Sequence, residues 1–201
     1  MSVTVNSEYD TAMGRWEPDS RGRLQEAALA LYSERGFDQT TAAQIAERAG
    51  LTERTFFRHF ADKREVLFAG MSYLEEQIVA GVAGAPAAAG PLGAVGLGVQ
   101  SGAAIFSEFR RDLSRQRQAV IAANSELRER ELAKLANWAT SIAAALRARG
   151  VSEPQATLAA ETGMTVLRVA MARWASEEDG QDLTDIMRDA MTDLRELIAK
   201  D

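Results

Sequence analysis

Thr52, Glu53, Arg54, Thr55, Arg58 and His59 fall within eight consecutive residues, and each carries a charged or hydrogen-bonding side chain. Phe56 and Phe60 stand four residues apart on the same stretch, the spacing of one helical face turned inward. The arginines and hydroxyls are left among the outward positions. A short helix with that outer face can donate hydrogen bonds to phosphate oxygens and base edges, the chemistry of an element inserted into a DNA major groove. Arg54 and Thr55, near the start of the helix, are the expected base-edge contacts, with Arg58 and His59 behind them. His59 is the only histidine of the chain. A multi-histidine metal site or a histidine-based triad therefore cannot form within one chain.

The elements that must position this helix are legible on its N-terminal side. Residues 40–60 read TTAAQIAERAGLTERTFFRHF. Thr41 is placed to cap a first helix by accepting backbone N–H bonds from the next turn. Ile45, Ala46 and Ala49 then share one face, and Ala46 is small enough for a second helix to cross closely. Gly50 stands where the chain must turn, and Leu51 fills the corner. Thr52 is a second cap, opening the helix from Glu53 to about His59. An earlier helix is expected from about Asp19 or Ser20 to Arg35, with Leu24, Ala27, Ala28 and Leu31 buried, stopped by Gly36. A fourth is expected from about Lys63 to Val82, with Asp62 as its cap. Lys63 at its start is a candidate phosphate contact, because backbone N–H groups there also favour anions.

Residues 23–67 closely resemble the DNA-binding domain of the TetR family of bacterial transcriptional regulators. The matching features are Ala27-Ala28, Gly36-Phe37, Thr40-Thr41, Ile45-Ala46, Ala49-Gly50, Phe56, Phe60 and Lys63, in order and without gaps. The resemblance implies DNA contacts from Thr40, Thr41, Thr52, Arg54, Thr55, Phe57, Arg58, His59 and Lys63. It departs at Phe57, where family members often carry a tyrosine whose hydroxyl reaches a phosphate. Phe57 cannot donate that bond.

Bulk composition is that of an ordinary globular protein, 46% hydrophobic and 26% charged over 201 residues. Cysteine is absent, which excludes disulfides, thiolate metal sites and cysteine nucleophiles. No stretch approaches the roughly 18 uninterrupted apolar residues of a membrane span, and the first residues lack the layout of a signal peptide. A cytoplasmic protein is expected. The net charge of −6 divides unevenly. Residues 48–64 carry five basic against two acidic groups, and residues 69–201 carry 14 basic against 18 acidic. A small basic tip on an acidic body can still attract phosphate, because the field is screened beyond about 10 Å.

Three parts are expected: a flexible arm over 1–18, a helix-turn-helix domain over 19–65, and a ligand-binding and dimerisation domain over 66–201. In the arm and just after it, Arg15, Arg21 and Arg23 are within reach of DNA only if this segment is not a plain disordered tail. Residues 81–102 hold seven of the fifteen glycines. They read as a loose linker to about Gly90, then a glycine-weakened helix from Pro91. Close helix packing or a deformable pocket wall accounts for them better than a phosphate loop, since no strand precedes them. Helices are expected at about 103–121, 125–149, 153–176 and 182–199.

The last helix carries an apolar stripe of Leu183, Ile186, Met187, Ala190, Met191, Leu194, Leu197 and Ile198, and the helix before it is rich in small and apolar residues. One helix-turn-helix reads only a short half-site, so two copies are needed. The resemblance implies pairing of the last two helices with their mates in a four-helix bundle, here through residues 153–199. Phe106, Phe109, Trp138, Ile142, Met164, Leu167 and Met171, with Arg110 and Arg168, are the residues available to line an apolar cavity with a cation. The expected effector is a small apolar, anionic molecule. Residues 125–138 also look like a subgroup of such regulators common in high-GC bacteria, which leaves the effector open.

The fold class expected is all-α, with a three-helix DNA-binding domain followed by a larger helical domain. The function expected is ligand-responsive repression by a homodimer on a palindromic double-stranded DNA operator, with no metal, no cofactor and no catalysis. A constitutive DNA-binding protein without effector, and a helical carrier or enzyme, are the alternatives.

Overall fold

The computed structural model describes residues 20–107, 111–176 and 181–199, with the side chains of 105–107 outside that description. The expected arm over 1–18 lies outside it, as do Phe109, Arg110 and the side chain of Phe106. The described elements are all helical: α1 (Ser20–Arg35), α2 (Ala42–Arg48), α3 (Glu53–His59), a 3-10 turn (Glu65–Phe68), α4 (Met71–Ala83), α5 (Pro91–Ser107), α6 (Arg111–Ala123), α7 (Ser125–Ala148), α8 (Glu153–Ser176) and α9 (Leu183–Ala199). The chain divides after Val66 into two compact units.

In the first unit α1 supplies Leu24, Ala28 and Leu31 to a core completed by Phe37, Ile45, Ala46, Phe56 and Phe60, all buried. Ala46 and Ala49 leave room for α3 to cross α2. Gly50, at φ +66, takes the left-handed turn between them, a conformation closed to most side chains. Tyr32 and Phe37 pack with ring centroids 5.2 Å apart, under the entry to α2.

A single helix from Lys63 to Val82 does not form. Asp62 caps only a 3-10 turn, accepting bonds from the N–H groups of Arg64 at 2.8 Å and Glu65 at 3.1 Å. Gly70 then sits at φ +83 and α4 begins at Met71. The apolar period continues across the break through Val66, Leu67, Met71 and Leu74, and so hides it in the sequence.

In the second unit α5 is the central helix, packed on α4, α8 and α9. The glycines of 81–102 serve this packing. Residues 81–83 belong to α4, so the segment is not a loose linker from its start. A Cβ on Gly81 would lie 2.8 Å from Gly98 Cα, and one on Gly102 would lie 2.7 Å from Ile78 Cγ1. On the other side of α5, a Cβ on Gly163 of α8 would lie 2.1 Å from Val95 Cγ1. Helix α5 does start at Pro91, but it continues to Ser107, where a helix from 103 to 121 was expected. Asn124 caps α7 by position, while its amide donates backwards to Val120 O at 2.8 Å.

Candidate nucleic-acid interface

Both short helices of the helix-turn-helix are held at their N-termini by threonine. Thr41 Oγ1 accepts from Gln44 N at 3.2 Å, and Gln44 Oε1 accepts from Thr41 N at 3.0 Å, a reciprocal capping box. Thr52 Oγ1 accepts from Thr55 N at 3.2 Å and lies 2.9 Å from Thr55 Oγ1. Each of these hydroxyls spends acceptor capacity on the helix. The Thr41 proton is left free, and the Thr52–Thr55 pair uses one of its two protons internally. Two O–H donors therefore remain at the openings of α2 and α3.

On α3 the inward face is Phe56 and Phe60, with ring centroids 5.7 Å apart. The outward face is Glu53, Arg54, Phe57 and Arg58, all exposed. Arg54 and Arg58 make no hydrogen bond or ion pair among the described residues. Phe57 is 53% exposed and meets Phe56 only edge-on, at 5.3 Å between centroids. An aromatic ring left in water beside two arginines suits apolar contact with a thymine methyl or a sugar.

Other expected contacts are placed elsewhere. Thr40 is 1% exposed and its hydroxyl donates to Gly36 O at 2.9 Å, so it is an internal brace and not a DNA contact. Lys63 Nζ points into the domain and donates to Phe37 O at 2.8 Å, Thr40 O at 2.9 Å and Asp38 O at 3.3 Å. Each of its three protons thus has a backbone acceptor within the domain. His59 is half-buried, and its Nε2 is enclosed without a hydrogen-bond partner. Arg21 lies over the Phe60 ring at 5.6 Å, and Arg23 donates to Ala49 O and Gly50 O. Arg48 is joined to Glu34 by two bonds, at 3.0 and 2.5 Å. The basic patch read from the sequence thus narrows on α3 to Arg54 and Arg58.

In the second unit, Trp138, Ile142, Met164 and Leu167 are buried in one core with Val95, Val99 and Ala160, and Met171 packs against its edge. Among the described residues they are part of this packed core. Arg168 is exposed on α8, turned away from that core. Two surface hollows lie among the described residues, one of about 320 Å³ beside Leu31, Arg35, Gln44, Glu47 and Arg48, and one of about 260 Å³ between α7 and α8 beside Thr140, Arg147, Thr157 and Glu161.

The family profile described as bacterial regulatory proteins, tetR family, matches residues 24–69. A second, described as the MftR C-terminal domain, matches residues 89–199, more than half of the chain. The chain belongs to the TetR family of bacterial regulatory proteins. Its members are transcriptional regulators, so the carrier or enzyme alternative falls away. A related sequence, the HTH-type transcriptional regulator TcmR of Streptomyces glaucescens, is 41% identical over 76 residues, 38% of this chain and 34% of TcmR. The chain thus spans about a third of that relative. Two solved structures share the fold. The SmeT–triclosan complex, from Stenotrophomonas maltophilia, superposes with TM-score 0.59 at 20% identity, covering 86% of this chain and 88% of SmeT. FadR of Bacillus subtilis in complex with stearoyl-CoA has TM-score 0.57 at 16% identity, covering 85% and 95%.

In this TetR-family chain one polar cluster of the second unit had no signal in the sequence. Arg117 of α6 is largely buried. Its Nε donates to Leu67 O at 2.6 Å and its Nη2 to Glu131 Oε1 of α7 at 2.9 Å. The guanidinium lies 5.4 Å from the centre of the Phe68 ring. Burial pulls its pKa down, against the opposing pull of Glu131. At the other end of α6, Arg111 lies over Trp174 at 5.0 Å and Arg115 donates to Ala175 O. Helix α6 is therefore tied to the end of α8 and to the segment that opens the second unit. Fourteen residues separate Arg117 from Glu131, and no helical period relates them.

Proposed function

We propose that this TetR-family regulator is a cytoplasmic repressor that acts as a homodimer on a palindromic operator and releases it when an effector binds. The observation that carries the DNA reading is the outer face of α3, where Arg54, Phe57 and Arg58 stand exposed beside the spare hydroxyl protons of Thr41 and the Thr52–Thr55 pair. Dimerisation through α8 and α9 is supported by apolar side chains left in water, Leu158 at 68% and Val169 at 51% exposure on α8, and Leu197 and Ile198 on α9. Two copies would set their α3 helices into successive major grooves, about 34–36 Å apart.

A small apolar, anionic effector is supported by analogy with the ligands bound to SmeT and FadR. It would act by population shift. To move the dimer from mostly competent to mostly incompetent, it must prefer the second state by about 5 kcal/mol. The burial of Trp138 and Met164 among other core residues supports a second reading, a constitutive DNA-binding protein without effector. Operator selection from randomised duplexes tests the DNA reading. R54A should cost about 1–3 kcal/mol and relax preference at one position, most readily a guanine. An unchanged sequence preference would remove Arg54 from the base edges. Thermal-shift screening against long-chain and aromatic acids separates the two readings, because a ligand that binds the folded state raises the unfolding temperature, by an amount that grows with the logarithm of its concentration over Kd.

A further inference from the structure

We infer that Lys63 and Arg23 are positioning residues, two cations that clamp the ends of α2 through backbone carbonyls and so set where α2 and α3 stand for DNA. The inference rests on the DNA-binding reading and adds how its precision is obtained. Helices α2 and α3 have seven residues each. Helices that short are marginal alone, so their placement must come from tertiary ties.

Lys63 closes the entry to α2. Its ammonium takes the carbonyls of Phe37, Asp38 and Thr40, the last of which is one residue before the Thr41 cap. The same ammonium lies 4.3 Å from the centre of the Phe37 ring. Its own carbonyl accepts from Tyr32 Oη at 2.5 Å. Burial, helped by the charge of Asp62, pushes the Tyr32 phenol well above its ordinary range, so it stays a proton donor. Arg23 closes the exit. Its Nη2 donates to Ala49 O, the C-cap of α2, and to Gly50 O at 3.4 Å. A Cβ on Gly50 would lie 2.9 Å from that same nitrogen. Carbonyls at both ends of one helix are thus held from outside it, by α1 and by the segment after α3.

The alternative role for Lys63 is a phosphate ligand, and the two roles separate by experiment. The full-length protein, K63M and K63R are titrated with a duplex selected by the wild type, by fluorescence anisotropy over a range of salt. K63R keeps the charge, but its planar fork does not fit a cup built for one ammonium. The expected result is that both variants lose roughly tenfold to a hundredfold in affinity, the scale of one charge-assisted hydrogen bond, while K63R keeps the wild-type salt slope. R23M should behave as K63M does. A K63R of wild-type affinity, with K63M losing about one unit of slope per half-site, would make Lys63 a phosphate ligand and overturn the inference. Wild-type affinity in both variants would overturn it as well. Circular dichroism and the unfolding midpoint confirm that each variant is folded at the assay temperature. If K63M is not, K63R is read alone. If the wild type selects no sequence, the DNA-binding reading fails by itself. The clamp is then read from amide hydrogen exchange over residues 37–45, which should be faster in K63R and would overturn the clamp if unchanged.

Discussion

Gly98 on α5 makes the packing argument quantitative. A Cβ built on it stands 2.5 Å from Val82 Cγ2, 2.6 Å from Ile78 O and 3.1 Å from Val82 N. Two of these neighbours are backbone atoms of α4, so no change of rotamer relieves them. A carbon and a carbonyl oxygen normally rest about 3.3–3.6 Å apart. G98A therefore requires α4 to retreat from α5 by roughly 0.7 Å or more along a contact that also holds Gly81 and Gly102. Overpacking of this kind costs about 3 kcal/mol, at the upper end of its usual range because backbone must move. Replacing glycine by alanine inside a helix returns about 1 kcal/mol. The net expectation is a loss of about 2 kcal/mol. G93A is the control on the same helix, since its Cβ meets only Ala89 Cβ at 3.9 Å. It should be neutral or gain up to about 1 kcal/mol. The assay is urea unfolding at fixed protein concentration, followed by the fluorescence of Trp138 and Trp174, both buried in this unit. With a slope of about 2 kcal/mol/M, G98A should move the midpoint down by roughly 1 M and G93A should leave it or raise it. A G98A protein as stable as wild type would show that α4 and α5 do not pack as closely as described.

Three further outcomes follow from the same structure. E131Q should destabilise the second unit by about 1–3 kcal/mol and more than R117M does, because it leaves a buried guanidinium without its carboxylate while R117M removes the charge itself; the reverse order in thermal unfolding would show that the cation is solvated. Asp62 is held below the ordinary carboxyl value of 3.8, since its partial burial is outweighed by bonds from Arg64 and from the N–H of Glu65; its stabilising contribution is thus present above that value and lost as pH falls through the lower folded value. Acid titration of the helix signal should give a shallower loss below about pH 3.8 in D62N than in wild type, and parallel acid limbs would refute the assignment. Finally, if only Arg54 and Arg58 of the patch displace counterions from DNA, log affinity against log salt should fall by about 2 per half-site before any arm contribution, whereas use of all five basic groups requires more than 4.

The first unit was legible because its signals are local. A threonine before an apolar period, a glycine four residues after Ala46 and two phenylalanines at one helical spacing each constrain the backbone within a turn or two. What failed there was assignment of side chains between neighbours. Thr40 and Thr41 are chemically identical and adjacent, yet one is the buried brace to Gly36 O and the other is the exposed cap. Spacing alone does not say which faces inward. The second unit failed differently. Gly81, Gly98 and Gly102 are separated along the chain, and only the antiparallel pairing of α4 with α5 brings them to one seam. Trp138, Ile142, Met164 and Leu167 have the same pattern whether they line a cavity or fill a core.

Charge shows why residue type is a poor guide to role in this protein. Residues 48–64 hold a formal excess of three positive charges, which reads as a patch turned toward phosphate. In the folded unit Arg48 is spent on Glu34, Arg64 on Asp62 and Lys63 on three carbonyls. Cations of this helix-turn-helix therefore divide into those that touch nothing among the described residues and those that bond within the domain. Both groups can lower affinity when removed, but only the first carries the salt dependence. A regulator with a net charge of −6 and few free cations on its reading helix gains little from nonspecific attraction. On the proposed reading, its discrimination comes from the fit of α3 to base edges, which rigid placement of α2 and α3 would supply.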